Sequence, residues 1–208
     1  PREEVEDVLL LRDKLNKSDL SKKLKIATSG PRRKAQLLGI NSGFNIVPIR
    51  GNIQTRIDKM TTENLDGLIV AKAALNRLKI SHPNIYIFSQ EEMLPAAAQG
   101  AIGIEVIEEN LEAETINLLQ SINDNLTFKA TEIERTVVAA LQGNCLSPIS
   151  ALCKISDQDV ELKVRVSNQK GSEVYDQKEI FKLDNKIEAL EGFIEKLISN
   201  GAKTLIQK

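Results

Sequence analysis

The chain has 208 residues, of which 41% are hydrophobic and 27% are charged, and its formal net charge is −1. This balance is typical of a globular protein that is long enough to bury a substantial core, and it excludes a disordered chain. With no Trp, two Tyr and five Phe, and no excess of positive charge, the composition argues against a nucleic-acid partner.

Other classes of protein are disfavoured as well. No stretch of the sequence approaches the roughly 18 consecutive apolar residues of a membrane span, so no membrane partner is expected. One His and two Cys are too few for a typical zinc site or a disulfide framework, and we expect no metal site. Residues 1–7 contain no apolar signal core, so we expect a cytoplasmic protein, although a chain without an initial Met says little about targeting.

Strands and helices alternate along the first half of the chain. Short apolar runs predict strands at 24–27, 44–49, 67–71 and 85–87, with helices between them at 32–38, 53–60 and 73–78. Pro31 suits the first position of the first helix, with Ser29 or Gly30 as its cap. Such alternation predicts an α/β unit with a mostly parallel sheet.

The second half has a different pattern. A strand is predicted at 101–106 and an amphipathic helix at 112–121. A second helix is predicted to begin with a capping box at 131–134 and to end at Gly143. Strands follow near 149–155, 161–167 and 179–183, and then a C-terminal helix at 186–205 that is interrupted near Gly201. This half predicts a small α+β domain with an antiparallel sheet, and its boundary lies between residues 120 and 130.

Arginines follow three of the predicted parallel strands. Arg32 and Arg33 occupy the first turn of a helix, where the dipole disfavours cations, Arg50 ends the second strand, and Arg56 and Arg77 lie on the next two helices. Ligands of α/β sheets bind at the carboxyl edge, and arginine matches carboxylates with two parallel hydrogen bonds. Each arginine alone is more often a surface charge, but together they favour a site for a polyanion with several carboxylates.

Three further features could carry chemistry or be incidental. Cys145 lies in a loop directly after a helix, and an accessible thiol there is a candidate for covalent chemistry, or simply a free Cys. Cys153 lies in an apolar strand pattern and is interpreted as inert and buried. The small residues at 96–100, which include Gln99, allow close approach of a ligand or form a plain hinge. A Ser-His-Asp site would rest on His82 alone.

Five motifs in this order resemble the porphobilinogen deaminase family, whose members are also called hydroxymethylbilane synthases. They are spread between residues 28 and 149, and the tail beyond about residue 155 matches only in pattern. The motifs are TSGPRRKAQL at 28–37, RGNIQTR at 50–56, DGLIVAKAALNRL at 66–78, LPAAAQGAIGIE at 94–105 and ERTVVAALQGNCLSPI at 134–149. They resemble the family patterns TSSLRRxAQL, RGNxxTR, DAIILAAAGLKRL, LPAVGQGALGIE and ERAFLxxLEGGCQVPIG.

The resemblance implies a transferase of tetrapyrrole and haem biosynthesis. The family joins four porphobilinogen units head to tail with release of ammonia, through an azafulvene-like electrophile, on a dipyrromethane cofactor held by a thioether. Each pyrrole carries an acetate and a propionate, which agrees with the arginine pattern. By motif, the residues that hold the cofactor are Cys145, as the thioether, with Ser29, Arg32, Arg33, Arg50 and Arg56. The substrate-binding residues by the same carry-over are Arg32, Arg33, Arg56, Arg77 and Gln99.

The resemblance also implies an architecture. Residues 1–96 would form a periplasmic-binding-protein-like domain, 97–122 a segment returning to a mostly absent first domain, and 123–208 the C-terminal domain that carries Cys145. The family's catalytic carboxylate lies in an HSxKDxP motif, which does not occur here. We therefore expect a fragment that is inactive alone, from a protein that is a monomer when intact. The alternative is a non-catalytic anion-binding α/β module, because the fold alone cannot decide function.

Some positions depart from the family pattern. Gly30 and Pro31 replace a Ser-Leu pair, which would remove one hydroxyl contact to the cofactor, and Ala98 replaces a Gly before Gln99. None of the departures removes an arginine or the cysteine.

Overall fold

The computed structural model describes residues 1–13, 15–107, 109 and 111–207. Its strands are β1 (Asp7–Leu11), β2 (Lys25–Ala27), β3 (Asn45–Val47), β4 (Gly67–Ala71), β5 (Ile85–Ile87), β6 (Ile149–Ser156), β7 (Asp159–Ser167) and β8 (Val174–Lys182). Its α-helices are α1 (Pro31–Ile40), α2 (Ile53–Thr62), α3 (Lys72–Leu78), α4 (Ala113–Ile122), α5 (Asn125–Ala140), α6 (Lys186–Ser199) and α7 (Ala202–Gln207). Short 3₁₀ helices cover Lys17–Ser21 and Leu183–Asn185.

The first half forms a five-stranded sheet in the order β3-β2-β4-β1-β5. β2 pairs in parallel with β3 and β4, while β1 runs antiparallel to both β4 and β5. Four strands therefore share one direction, which confirms the predicted mostly parallel sheet. The sequence predicts no strand at Asp7–Leu11, yet this strand is buried along its whole length because it lies inside the sheet.

Alternate residues of β1 face opposite sides of the sheet, so it contributes to two cores. Val8 and Leu10 pack in one cluster, on the side of the sheet that also holds residues of α2 and α3. Leu9 and Leu11 pack in the other cluster with Leu37 of α1. The apolar residues after Asp7 thus pack on both faces of the sheet, as expected for a central strand that other elements cover on both sides.

The second half forms an antiparallel sheet in the order β6-β7-β8, as the sequence predicts. One face packs on α5, α6 and α7 around the fully buried Phe193 and Leu197. We call the five-stranded sheet with its helices the first unit, and the antiparallel sheet with α5, α6 and α7 the C-terminal unit. The opposite face of the antiparallel sheet meets the first unit, where Ser150 and Arg165 are cross-strand partners that both contact Gln36 of α1. The two units are therefore joined through the helix that carries Arg32 and Arg33.

The start of α5 differs from the sequence prediction. The helix begins at Asn125, and the Asp124 side chain accepts from the Thr127 backbone N–H as its N-cap. The predicted capping box at 131–134 is wrong, because Thr131 lies inside the helix and its hydroxyl donates to the carbonyl of Thr127. The Thr131–Glu134 spacing that resembles a capping box thus lies inside a helix that begins at Asn125.

The strand predicted at 101–106 is not present. In the described residues no strand lies beside this segment, so its backbone has no partner with which to form a ladder. Its apolar side chains are open to solvent, with Ile102 69% and Ile104 59% exposed. The following helix α4 has no buried residue. Across the described ranges, none of the helices combines the length and apolar character that crossing a membrane requires.

Candidate anion-binding site

Three neighbouring strands deliver the arginines to one edge of the five-stranded sheet. β3, β2 and β4 lie side by side and point the same way, so their carboxyl ends meet at the same edge. Arg50 follows β3, Arg32 and Arg33 begin α1 after β2, and Arg77 lies on α3 after β4. Sheet order alone therefore brings together residues that are up to 45 positions apart in the sequence.

Asp7 lies at the same edge because β1 runs in the opposite direction and begins there, opposite Ala71 of β4. Its carboxylate is fully buried and pairs with two arginines. Arg32 Nη1 lies 2.7 Å from Oδ2, and Arg33 approaches Oδ1 with Nη2 at 2.8 Å and Nε at 3.0 Å. The edge thus contains one buried carboxylate shared by two adjacent guanidinium groups.

Burial and charge act in opposite directions on this cluster. Burial alone would raise the pKa of Asp7, but the two guanidinium charges outweigh it and hold that pKa below its usual value. Burial lowers the pKa of Arg32, and the neighbouring Arg33 charge adds to this, while Asp7 opposes it. With Asp7 ionised and both arginines protonated, the cluster keeps one net positive charge.

Gln99 connects this cluster to the segment between the two units. Its Oε1 accepts from Arg32 Nη2 at 3.3 Å, and its Nε2 donates to the carbonyl of Val5 at 2.6 Å and to Asp7 Oδ1 at 3.1 Å. The next residue, Gly100, accepts from Arg77 Nη2 at 3.3 Å through its carbonyl. Gln99 is therefore hydrogen-bonded to the buried arginine, and Arg77 binds the backbone of the residue that follows Gln99.

Ser29 connects the turn before α1 to the end of β3. Its hydroxyl donates to the carbonyl of Ile49 and accepts from the Ile49 N–H at 2.9 Å. Arg50, the next residue, is exposed, and Arg56 is half-buried with its Nε donating to the carbonyl of Gly51 at 2.7 Å. These two arginines keep N–H groups for a ligand at the open side of the edge.

The two cysteines have opposite environments. Cys145 is exposed in the loop after α5, whereas Cys153 is buried in β6. Burial, with the nearby Glu134 carboxylate, raises the pKa of Cys153 to about 12, which makes that thiol inert. In the described part of the chain, no group of three or more His, Cys, Asp or Glu side chains could hold a metal ion.

The Cys145 loop is anchored to the arginine helix. Ser150, five residues further on, accepts from Gln36 Nε2 at 3.0 Å, and both side chains donate to the carbonyl of Leu94 at 2.9 Å. Five residues reach at most about 17 Å, and Arg32 lies one helical turn, about 6 Å, before Gln36. The exposed thiol is therefore tethered to the unit that carries the arginines.

Comparison with known proteins identifies the family. Residues 1–115 match the model described as "Porphobilinogen deaminase, dipyromethane cofactor binding domain", and residues 128–191 match "Porphobilinogen deaminase, C-terminal domain". The chain belongs to the porphobilinogen deaminase family. This agrees with the resemblance carried by the five sequence motifs.

Curated members of the porphobilinogen deaminase family align with most or all of the chain. One from Campylobacter lari is 32% identical over 209 positions, covering 100% of this chain and 67% of the relative. One from Clostridium novyi is 39% identical, covering 83% and 58%, and one from Clostridium botulinum is 44% identical, covering 75% and 53%. The chain thus spans between about half and two thirds of the length of these relatives.

Two buried carboxylates of this porphobilinogen deaminase family member were not predicted from the sequence. Asp7 directly precedes an apolar run, and Glu134 lies on the apolar face of α5 beside Ile133 and Val137. An acidic residue within an apolar pattern signals a buried ion pair, because an unpaired buried charge is too costly. That signal was available for both residues, but it does not reveal which cation is the partner.

Proposed function

We propose that this chain supplies the cofactor-holding and carboxylate-binding part of a porphobilinogen deaminase (hydroxymethylbilane synthase). That enzyme is a transferase which condenses four porphobilinogen units head to tail with release of ammonia. The observation that carries the proposal is the meeting of arginines from three neighbouring strands at one sheet edge, in a chain whose first 115 residues match the cofactor-binding model of the family.

The residues fit a polycarboxylate held by a thioether. Cys145 is exposed and accessible to form that bond. The proposed cofactor contacts are Ser29, Arg32, Arg33, Arg50 and Arg56, and the proposed substrate contacts are Arg32, Arg33, Arg56, Arg77 and Gln99. Arg32 is the most buried of the arginines in these two sets, so it would act from beneath the ligand, while the others face it from the open side.

The chemistry of the chain's own residues is binding and orientation. Guanidinium groups neutralise acetate and propionate groups and fix them with paired hydrogen bonds, which strengthen where the site is partly shielded from water. When bound, dipyrromethane supplies the pyrrole terminus onto which units are added. Arginines on three elements would hold successive carboxylates and so set the direction of the pyrrole chain. No catalytic acid or base is assigned within these 208 residues, and the chain alone is proposed to bind without turnover.

Several broader expectations belong to the same proposal. They are a periplasmic-binding-protein-like fold for residues 1–96, a returning segment at 97–122, a C-terminal domain at 123–208, a cytoplasmic location, and a monomeric state for the intact enzyme. The separation of the five-stranded sheet from the antiparallel sheet supports the first and the last of these units.

The proposal is tested by mass spectrometry and calorimetry on the chain incubated with porphobilinogen. Because the chain alone is proposed not to turn over porphobilinogen, its Cys145 should stay unmodified by porphobilinogen itself. A preformed hydroxymethyl-dipyrromethane, which alkylates a thiol with loss of water, should instead add two pyrrole units to Cys145. This adduct should be absent in Cys145→Ser and kept in Cys153→Ser. We also expect saturable binding that weakens by roughly tenfold or more in Arg50→Leu, since a charged hydrogen bond contributes about 1.5–3 kcal/mol. Arg135→Leu, an exposed arginine on α5, is the matched control and should bind normally.

The outcomes separate the two candidate functions. Absence of both the adduct and saturable binding would overturn the proposal. Binding that depends on Arg50, with Cys145 left unmodified by the hydroxymethyl-dipyrromethane, would favour the alternative, a non-catalytic anion-binding module.

A further inference from the structure

We propose that Asp7 is a positioning residue of the anion site, whose buried carboxylate holds the Arg33 guanidinium in the orientation that receives a ligand carboxylate. The inference deepens the proposed function and rests on it. Asp7 belongs to none of the five sequence motifs, and it lies on a strand that the sequence does not predict.

Two adjacent arginines in the first turn of α1 need an anion beside them. The helix has no acidic residue in its first turn, and its N-cap Gly30 offers no side chain. The helix dipole and the mutual repulsion of the two guanidinium groups would both drive Arg33 outward into solvent. Asp7 supplies the compensating charge from a different element, within 2.8 Å of Arg33 and 2.7 Å of Arg32.

The two arginines depend on Asp7 to different degrees. Arg32 has further anchors, since its Nη1 donates to the carbonyl of Leu94 at 2.8 Å and its Nη2 donates to Gln99. Among the described residues, Asp7 is the only hydrogen-bond or ion-pair partner of the Arg33 guanidinium. Loss of the Asp7 charge should therefore release Arg33 much more than Arg32.

Asp7 is itself held rigidly. It is the first residue of β1, its carbonyl accepts from the Phe88 N–H at 3.1 Å, and its Oδ1 accepts from Gln99 Nε2 at 3.1 Å. A site is set more precisely by side chains on strands and helices than by side chains on loops. The Arg33 side chain remains 18% exposed, and its Nη1 has no partner among the described residues. The N–H groups on this side of the guanidinium therefore stay open to a ligand.

The test measures Arg33 directly, without any ligand. Phenylglyoxal modification of the 208-residue chain, followed by peptide mass spectrometry, gives separate rates for Arg32 and Arg33. In Asp7→Asn we expect the rate at Arg33 to rise at least about tenfold and the rate at Arg32 to change by less than about threefold. Porphobilinogen titration of the same variant should show binding weakened by roughly tenfold or more, the effect of losing one charged hydrogen bond.

Asp176→Asn is the matched control, because that carboxylate is also bound by an arginine through two hydrogen bonds, from Arg165. It should leave the rate at Arg33 and the porphobilinogen affinity within about twofold of the wild type. If Asp7→Asn does not fold, the double variant Asp7→Asn, Arg32→Met removes both buried charges of that pair and should fold better. Arg33 should still be modified at the faster rate in the double variant.

An unchanged rate at Arg33 in every folded Asp7 variant overturns the inference, and so does a faster rate with unchanged porphobilinogen affinity. A wild-type chain that does not bind porphobilinogen overturns the proposed function instead. In that case the modification rates still decide whether Asp7 holds Arg33, so the two failures are distinguishable.

Discussion

Glu134 connects three parts of the molecule through one fully buried carboxylate. Arg2 binds it with two hydrogen bonds of 2.6 and 3.1 Å, and the backbone N–H groups of Ala98 and Cys153 donate to it at 2.6 and 2.8 Å. It therefore ties α5 to the N-terminal segment, to the connection between the units, and to β6. All four donors would be left without their acceptor charge if the carboxylate were neutralised.

Glu134→Gln should destabilise the chain by about 3 kcal/mol, because breaking a buried ion pair leaves the Arg2 charge uncompensated and the new amide N–H₂ faces donors. Urea denaturation followed by circular dichroism measures the change. Glu132→Gln, an exposed residue of the same helix that pairs with Lys186, is the control and should stay within about 0.5 kcal/mol of the wild type. Equal effects of the two substitutions would contradict the role assigned to Glu134.

The turn between β7 and β8 lies against the backbone of α1. A Cβ built on Gly171 would lie 1.9 Å from the carbonyl oxygen of Ala35, and the Gly171 φ of +67° is itself unfavourable for other residues. The close approach fixes the C-terminal unit on the helix whose first turn carries the arginines. Glycine at this turn is therefore a condition for the contact between the two units.

Gly171→Ala should lower the free energy of unfolding by at least about 2 kcal/mol. The new Cβ would overlap with a backbone that cannot move, and Ala would have to adopt the left-handed conformation. The matched substitution Gly192→Ala, in α6, meets open space and should stabilise by about 0.5–1 kcal/mol because Ala favours a helix over Gly. Thermal or urea unfolding of both variants tests whether the free energy of unfolding falls in one variant and rises in the other. A neutral Gly171→Ala variant would mean that the turn does not press on α1.

Elements with local signals were predicted well from the sequence. The strands after Leu24, Phe44 and Asp66 and the helix opened by Pro31 lie within a few residues of their predicted bounds, because apolar runs and turn residues mark them. The break in the C-terminal helix at Gly201 was also correct, and that residue has a φ of +84°. The alternation of strands and helices also predicted that the strands are parallel. Because the carboxyl ends of parallel strands meet, this placed the arginines at one edge of the sheet.

Elements that depend on distant partners were not predictable in this way. β1 is identified by pairing with β4 and β5, about 60 and 80 residues away along the chain, and no local pattern separates it from a buried helix segment. Asp7 could not be placed beside Arg33 for the same reason. Conversely, the segment 101–106 has a strand pattern but no strand partner among the described residues, so the pattern alone produced a wrong prediction.

At the scale of the whole molecule, large apolar side chains are exposed at many of the described positions between residues 104 and 128. Ile104 and Ile107 are 59% and 70% exposed, and the exposed large apolar residues that follow are Ile116, Leu118, Ile122, Leu126 and Phe128. An amphipathic helix such as α4 normally buries its apolar side, yet α4 has no buried residue. Exposed apolar stretches of this extent favour association with another surface.

We therefore expect the 208-residue chain to self-associate as its concentration rises, with a mass in analytical ultracentrifugation that exceeds the monomer. The double variant Ile104→Lys, Ile107→Lys should shift this association to roughly tenfold higher concentration, because charged side chains resist burial in an apolar contact. Ile180→Lys changes an equally exposed isoleucine on β8, outside the stretch, and should leave the association unchanged. A wild-type chain that stays monomeric at high concentration, or an equal response to both variants, would show that this stretch does not drive association.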